Sequence, residues 1–173
     1  MSVKAKKLAQ SLIESYKLAI PVDLNLIAEQ EGIFIRKEAL EDNVSGMLVI
    51  KDEQSVIVVN VKHHPNRQRF TIAHELGHYF LHRKLASIFF DESLLFFRDE
   101  KSAQGTKFQE IEANTFAAEL LMPEKVLRER LSQEPLDALD DVEQSALGEL
   151  ADELQVSCQA LTIRLTRLGL ITG

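Results

Sequence analysis

The residues best suited to chemistry are His74, Glu75 and His78, which form a His-Glu-x-x-His pattern. On an α-helix, two residues four positions apart lie about 40° apart around the axis, so both imidazoles can reach one metal ion. Glu75 lies roughly 80° from their midline, so it misses the ion but can reach a water bound to it. The pattern therefore predicts a zinc site with a general base. Zinc peptidases use these two groups to hydrolyse peptide bonds.

The residues around this pattern predict that it lies on a helix. Phe70, Ala73, Leu76 and Phe80 are apolar and recur at helical spacing. Gly77 is the one weak position, because glycine in a helix costs about 1 kcal/mol relative to alanine. We expect it to permit the close approach of another backbone.

Zinc requires a third protein ligand, and Glu110 is the candidate. On a helix through this segment, Glu112 points roughly 160° away from Glu110. Asn114 lies one turn beyond Glu110, where it could hydrogen-bond a histidine ligand or the backbone from outside the ligand set. The small Ala113 and Ala117 would allow this helix to press closely on the histidine helix.

The other histidines fit the ligand set less well. His82 is about 12 Å from His74 along a straight helix, so we exclude it as a ligand and expect it to cap the helix or to support His78. Several polar residues at the start of the helix could stabilise an oxyanion, although ordinary loop roles are the favoured interpretation: His63, His64, Asn66, Arg67 and Arg69. The oxyanion-stabilising residue is left unassigned.

Three segments together carry a resemblance to a known family. They are Arg-Phe-Thr-Ile-Ala-His-Glu-Leu-Gly-His at 69–78, Glu-x-x-Ala-Asn-x-Phe-Ala at 110–117 and Leu-Leu-Met-Pro at 120–123. In these segments the chain resembles the ImmA/IrrE family of zincin-like metallopeptidases, over roughly residues 8–130. The spacing between His78 and Glu110 is long for that family. The chain therefore departs from the family pattern in the intervening loop and not in the ligands.

The resemblance implies a compact α+β zinc peptidase with His74, His78 and Glu110 as ligands and Glu75 as the catalytic glutamate. It also implies a protein substrate, such as a helix-turn-helix repressor of the Xre type encoded nearby. The setting would be stress response, prophage induction or mobile-element control. One zinc ion per chain is expected, and another divalent ion such as Mn²⁺ would also suit the ligands.

Composition predicts a cytoplasmic protein. The chain has 173 residues, 45% of them hydrophobic, and a net charge of −7. No segment approaches the roughly 20 apolar residues of a membrane span, and the lysine-rich start lacks the apolar core of a signal peptide. Cys158 is the single cysteine, so no internal disulfide can form. Because DNA-binding domains are usually basic, direct nucleic acid binding is not expected.

Apolar patterning predicts helices first and then a small sheet. Two amphipathic helices are expected over 8–16 and from residue 22 to Gly32. Strands are expected over 33–36, 46–50 and 56–60, the last two forming a hairpin across 51–54. This gives a small, mostly antiparallel sheet packed on the histidine helix, and its edge could accept an extended peptide.

Residues 84–107 do not fit this scheme. Two apolar runs, at 87–90 and 94–97, precede a polar stretch at 98–105. The segment joins the two halves of the ligand set, so it could be a lid or a substrate-binding loop. The alternative is a short packed helix followed by a solvated connector, and the sequence does not separate the two.

The C-terminal region is helical and begins with an acidic linker at 132–144. Two short helices over 147–154 and 159–168, with Ser157 as the N-cap of the second, resemble a helix-turn-helix. Arg164 and Arg167 on the second helix suggest DNA binding as an alternative function of this region. The acidic linker before the helices favours a module that docks to a protein partner or packs on the domain.

These observations predict an α+β protein with a zincin-like metallopeptidase domain at 1–131 and a C-terminal helical appendage at 132–173. The predicted function is a zinc endopeptidase that cleaves a regulatory protein such as an Xre-type repressor or an antitoxin. The alternative is a zinc-containing protein without catalysis that binds a partner or regulates transcription.

Overall fold

The computed structural model describes residues 2–51, 54–92, 100–133 and 141–171. Helices and one sheet share this part of the chain, which confirms the α+β class. No helix among these residues combines the length and the apolar character needed to cross a bilayer. The elements in chain order are α1 (Val3–Ser15), α2 (Leu24–Gln30), β1 (Ile33–Glu38), β2 (Val44–Lys51), β3 (Gln54–Asn60), α3 (Pro65–His82), β4 (Ile88–Glu92), α4 (Glu100–Leu121), α5 (Glu124–Gln133), α6 (Asp141–Leu154) and α7 (Cys158–Arg167).

The sheet has the strand order β1-β3-β2-β4. β2 and β3 form the predicted antiparallel hairpin, with Gly46 opposite Val59 and Lys51 opposite Gln54. β4 is antiparallel to β2, and β1 is parallel to β3. Two of the three pairings are therefore antiparallel, as expected. The parallel pair is reached through a crossover, since β2 separates β1 from β3 along the chain.

The segment between the ligands contains a strand that neither alternative anticipated. Residues 88–92 form β4 at the edge of the sheet, where the backbone of Phe89 is paired with that of Leu48. Over residues 88–92 the packed-helix alternative is therefore wrong, because pairing with β2 provides the backbone hydrogen bonds that a helix would otherwise supply. The connector expected at 98–105 is also shorter than predicted, since α4 begins at Glu100. Residues 93–99 lie outside the described residues, so a lid remains a prediction.

Helix α3 runs between the sheet and α4, in contact with β2, β3 and β4. It begins with His64, whose Nδ1 accepts a hydrogen bond of 3.2 Å from the backbone N–H of Asn66, and with Pro65 in the first turn. Gly46 makes the packing on the sheet close: a Cβ at this position would lie 2.5 Å from Cγ2 of Thr71. A side chain there would push α3 off the sheet.

The contact between α3 and α4 is equally close. A Cβ on Gly77 would lie 3.0 Å from Cα of Ala113 and 3.2 Å from its carbonyl oxygen. This confirms the expectation that Gly77 admits another backbone. Ala113 and Ala117 are fully buried at the interface side of α4. Small residues on both helices thus set the distance between the helix that carries His74 and His78 and the helix that carries Glu110.

The N-terminal helices follow the predicted order. α2 begins after Asp23, whose carboxylate accepts hydrogen bonds from the backbone N–H groups of Asn25 and Leu26. It ends before Gly32, which has a φ of +69° and serves as the expected helix stop. α1 packs on α4. This helix therefore supports the element that carries Glu110.

α6 is longer than predicted, since it begins at Asp141, whereas α7 has the predicted ten residues, shifted by one position. α5 reaches Gln133, the second residue of the predicted linker. Ser157 caps α7 by accepting a hydrogen bond from the backbone N–H of Ala160, as expected. Apolar side chains of α6 and α7 belong to one core cluster with those of α3 and α4. The division of the chain at residues 131 and 132 remains a prediction.

Candidate metal centre

The structure brings His74, His78 and Glu110 together. The Nε2 atoms of His74 and His78 are 3.0 Å apart. The Glu110 carboxylate contacts both rings, at 3.2 Å from His74 Nε2 and 3.1 Å from His78 Nε2. The helical spacing places the histidines one turn apart on α3, and α4 presents the carboxylate from the opposite side. Three donor atoms from two helices thus converge on one point.

The three donors suit a tetrahedral zinc ion. Ligand atoms at 2.0–2.1 Å from zinc in a tetrahedron lie about 3.3 Å from one another. The observed separations of 3.0–3.2 Å are close to this value. Among the described residues, these are the three whose ligand atoms lie within 4.8 Å of one another. Two imidazoles and one carboxylate are also a ligand set used by zinc peptidases, with a further coordination position available.

The electrostatics of the site keep Glu110 ionised. Burial alone would raise the pKa of its carboxyl, but hydrogen bonds from His74 and His78, together with their charges, outweigh burial and lower that pKa to about 2. A carboxylate must be deprotonated to bind a metal. Glu110 therefore meets this requirement throughout the neutral range.

Glu75 is fully buried on α3, directly after the first histidine. A buried carboxylate is costly without compensation, and such groups are concentrated at sites that transfer protons. Its position beside His74, outside the set of three ligand atoms, is compatible with the predicted role of general base.

Glu112 occupies the opposite face of α4 and has structural partners. Its Oε1 accepts a hydrogen bond of 2.7 Å from the hydroxyl of Ser2, the N-cap of α1. Its Oε2 lies 3.7 Å from Nε2 of His82. Both Glu112 and His82 are buried. This pair therefore links the end of α3 to α4 and α1, away from the three ligand atoms.

His82 is the last residue of α3, and its ring centroid lies 5.5 Å from that of His78. Burial, with a smaller contribution from the charge of His78, lowers the pKa of His82. His82 is therefore neutral at pH 7. It lies beside His78 but is not one of the three residues whose donor atoms converge.

Asn114 is exposed on α4, one turn after Glu110. It lines a cavity between α4 and α7 together with Ala118 and Ile163. A hydrogen bond from Asn114 to a ligand histidine therefore remains a prediction.

Several candidate oxyanion groups have other contacts. Nδ1 of His64 caps α3, and the Asn66 amide donates a hydrogen bond of 2.9 Å to the carbonyl of Val156. Arg69 donates to the carbonyl of Val22. Arg67 donates to the hydroxyl of Ser45 at 2.9 Å, and Nε2 of His63 lies 3.4 Å from the carbonyl of Asp42. These contacts support the loop roles, and the oxyanion-stabilising residue stays unassigned.

One aromatic neighbour of the site was not predicted from the sequence. The Phe89 ring of β4 stacks on the ring of His78, with centroids 4.7 Å apart and planes inclined by 21°. Phe89 is buried at the sheet edge. The signal was present, because Phe89 lies in the apolar run at 87–90, but a run of four apolar residues does not reveal which histidine it will cover.

Comparisons with known proteins find one matching family model and several relatives. The family model for the IrrE N-terminal-like domain, Peptidase_M78, matches residues 28–166. An immunity region protein of Bacillus phage phi105 is 32% identical over 79% of the chain and 78% of its own length. Metallopeptidase ImmA of Bacillus subtilis is 30% identical over 61% of the chain. Radiation response metalloprotease IrrE of Deinococcus radiodurans is 35% identical over 66% of the chain.

The match covers 57% of the length of ImmA and 31% of the length of IrrE. Among solved structures, a Mycobacterium tuberculosis transcriptional regulator superposes with a TM-score of 0.65 over 94% of the chain and 46% of its own length. Its sequence identity of 19% makes this a likeness of fold. The chain thus shares its fold with a protein about twice its length.

Proposed function

Since the chain belongs to the ImmA/IrrE family of metallopeptidases, we propose that it is a zinc-dependent endopeptidase with a zincin-like core and Glu75 as its general base. The observation that supports this most directly is the convergence of His74, His78 and Glu110 within 4.8 Å. Their donor atoms and spacings match what zinc requires.

In this proposal His74 and His78 hold one zinc ion through Nε2, and Glu110 holds it through its carboxylate. When bound, the ion supplies Lewis acidity, which lowers the pKa of water and polarises a peptide carbonyl. Zinc follows from the type of ligand, and Mn²⁺ is the divalent ion to test beside it.

Glu75 provides the proton transfer. One carboxylate oxygen accepts a proton from the water that attacks the peptide carbonyl, and the same carboxylic acid then donates that proton to the leaving amine. The amine is a poor leaving group unless it is protonated, so both transfers are needed. Full burial of Glu75 strengthens its electrostatic interaction with the reacting groups.

The substrate would bind as an extended segment beside β4. This strand is at the end of the sheet order and is adjacent to the ligands through the contact of Phe89 with His78. An extended peptide can add to a sheet edge through backbone hydrogen bonds. This arrangement would bring the scissile carbonyl to the metal centre.

The proposed substrate is a regulatory protein such as an Xre-type repressor or an antitoxin, cleaved in the cytoplasm. The names of two relatives refer to phage immunity and to the response to radiation, which are both regulated processes. The competing function is a partner-binding or transcription-regulating zinc protein without catalysis. The burial of Arg164 leaves one fewer cation on α7 for DNA.

Cleavage of a peptide library by the zinc-loaded protein tests the proposal. We expect Glu75→Gln to retain one zinc per chain and to lose at least about 10³-fold of the cleavage rate. Glu29→Gln, an exposed change of the same type on α2, should cleave like the wild type. Normal cleavage by Glu75→Gln would refute the role of Glu75. Stoichiometric zinc without cleavage by the wild type would favour the competing function.

A further inference from the structure

A cavity of about 720 Å³ opens between α4, α7 and the first turns of α3. We call it the α4–α7 groove, and the residues that define its chemistry are Phe70, Ile111, Asn114, Ala118, Ile163 and Arg167. Its volume is within the range of sites that bind small molecules or short peptide segments.

The groove continues from the ligand face of both helices. Phe70 lies one turn before His74 on α3, and Asn114 lies one turn after Glu110 on α4. One helical turn is about 5.4 Å, which is the length of about two residues of extended chain. The near end of the groove is therefore about two substrate residues from the scissile bond of a bound peptide. From Asn114 to Met122 the wall formed by α4 rises by about 12 Å, which corresponds to three or four residues of extended chain.

The walls of the groove are largely apolar. Ile111 of α4 and Ile163 of α7 are 45% and 46% exposed, and Phe70 of α3, which also lines the groove, is half-buried. Aliphatic side chains that are half in water gain free energy when an apolar ligand covers them. The groove therefore favours apolar side chains.

Two arginines line the groove, and only one of them has a charge that can pair with a ligand. Arg164 is buried, and it forms an ion pair with Glu119 and donates a hydrogen bond to the carbonyl of Met122. Arg167 is exposed and has no ion pair with any residue in the described ranges. In a chain with a net charge of −7, this leaves a local positive charge at the α7 side of the groove. A carboxylate would be attracted to it.

We propose that the α4–α7 groove is a substrate subsite that selects apolar residues followed by an acidic residue, at two to five positions from the scissile bond. The apolar side chains pack on Ile111 and Ile163, and the acidic side chain pairs with Arg167. The occupant is a segment of the protein that is cleaved. This inference rests on the proposed peptidase function and specifies its substrate class.

The first test is the cleavage profile of a random peptide library, read by mass spectrometry. Wild-type protein should enrich large apolar residues and Asp or Glu at these positions on one side of the cut. Arg167→Glu should replace the acidic preference with Lys or Arg, a change of at least about fivefold, because attraction becomes repulsion. The control Arg36→Glu changes an exposed arginine on β1, at the sheet edge opposite β4, and should keep the wild-type profile. An unchanged profile in Arg167→Glu would overturn the proposal.

The second test measures binding without cleavage. Glu75→Gln protein is titrated with fluorescein-labelled Gly-Gly-Leu-Leu-Asp-Gly and with the same peptide carrying Lys in place of Asp. We expect at least about fivefold tighter binding of the Asp peptide, reversed when Arg167→Glu is added. Equal binding of both peptides would overturn the subsite. If the wild type cleaves no library peptide, the peptidase proposal fails, and this measurement alone decides whether the groove binds such segments.

Discussion

Gly77 of α3 faces the backbone of Ala113 of α4, so closely that a Cβ on Gly77 would lie 3.0 Å from the Cα of Ala113. His78 follows Gly77, and Glu110 precedes Ala113 by one turn. The distance between the two helices at this contact therefore sets the distance from Glu110 to His74 and His78, the three proposed ligands.

Gly77→Ala should weaken zinc binding by about tenfold or more, because the added methyl group has to move α4 and with it Glu110. Gly148→Ala is the matched control. It adds the same methyl group to α6 with nothing within 4 Å, and it should raise the free energy of unfolding by about 0.5–1 kcal/mol without an effect on zinc. Zinc affinity by competition with a chelating dye and urea unfolding measure the two effects. Unchanged affinity in Gly77→Ala would show that α4 shifts without moving the ligand.

Glu110→Gln should lose stoichiometric zinc, whereas Glu112→Gln should retain it. The first change removes the negative charge of the proposed third ligand, which contacts both histidines. The second affects a carboxylate that Ser2 holds on the other face of α4. Metal analysis after dialysis distinguishes them. The assignment of the third ligand would be wrong if Glu112→Gln, still folded by circular dichroism, were the variant that lost zinc.

Arg164→Met should destabilise the protein by about 3–5 kcal/mol, because it leaves Glu119 buried without its cation. Glu119 is fully buried and also accepts a hydrogen bond of 2.8 Å from Gln10 of α1, so it cannot turn towards solvent without breaking a second contact. The exposed Arg167→Met should change the free energy of unfolding by about 0.5 kcal/mol or less. Denaturant titration compares the two, and similar values would argue against the ion pair as an anchor of α7.

The contact between Glu124 of α5 and Lys6 of α1 predicts a dependence of stability on pH. Hydrogen bonds from Lys6, then from Arg128, lower the pKa of Glu124 below its ordinary value of 4.5. A carboxyl with a lowered pKa in the folded state stabilises the protein above its unfolded pKa and loses this contribution as pH falls through the folded value. Wild type should therefore exceed Glu124→Gln in free energy of unfolding at pH 6.

That difference between wild type and Glu124→Gln should shrink as the pH is lowered below 4.5, towards the folded pKa of Glu124. It should also be smaller in high salt, since both side chains are partly exposed and salt screens their attraction. Urea titrations at several pH values measure it. A difference that is constant with pH would mean that the charge of Glu124 does not contribute.

The parts of the site predicted from the sequence depend on helical geometry. Spacing alone places His74 and His78 on one face, selects Glu110 over Glu112 as the residue facing them, and anticipates the close approach at Gly77, which the structure confirms. The cap at Ser157 and the hairpin of β2 with β3 are also local features. Each depends on residues within a few positions of one another, where dihedral and steric preferences decide.

The features that escaped prediction depend on distant partners. β4 forms because β2, about 40 residues earlier, offers an unpaired edge. The apolar run at 87–90 alone does not predict with which strand it will pair. The parallel pairing of β1 with β3 is of the same kind. Arg164 resembles an exposed DNA-binding cation until Glu119, 45 residues away, is placed beside it. Sequence patterns report periodicity, and they do not report which surfaces meet.

The buried contact of Glu119 with Arg164 also bears on synthesis of the chain. All three proposed ligands have been added by residue 110, but the cation that neutralises Glu119 arrives with residue 164. Until then α4 carries a carboxylate that favours water over the interior. A nascent chain on the ribosome would therefore contain the three proposed metal ligands before it can bury the helix that carries Glu110. Packing of the site would wait until α7 has emerged.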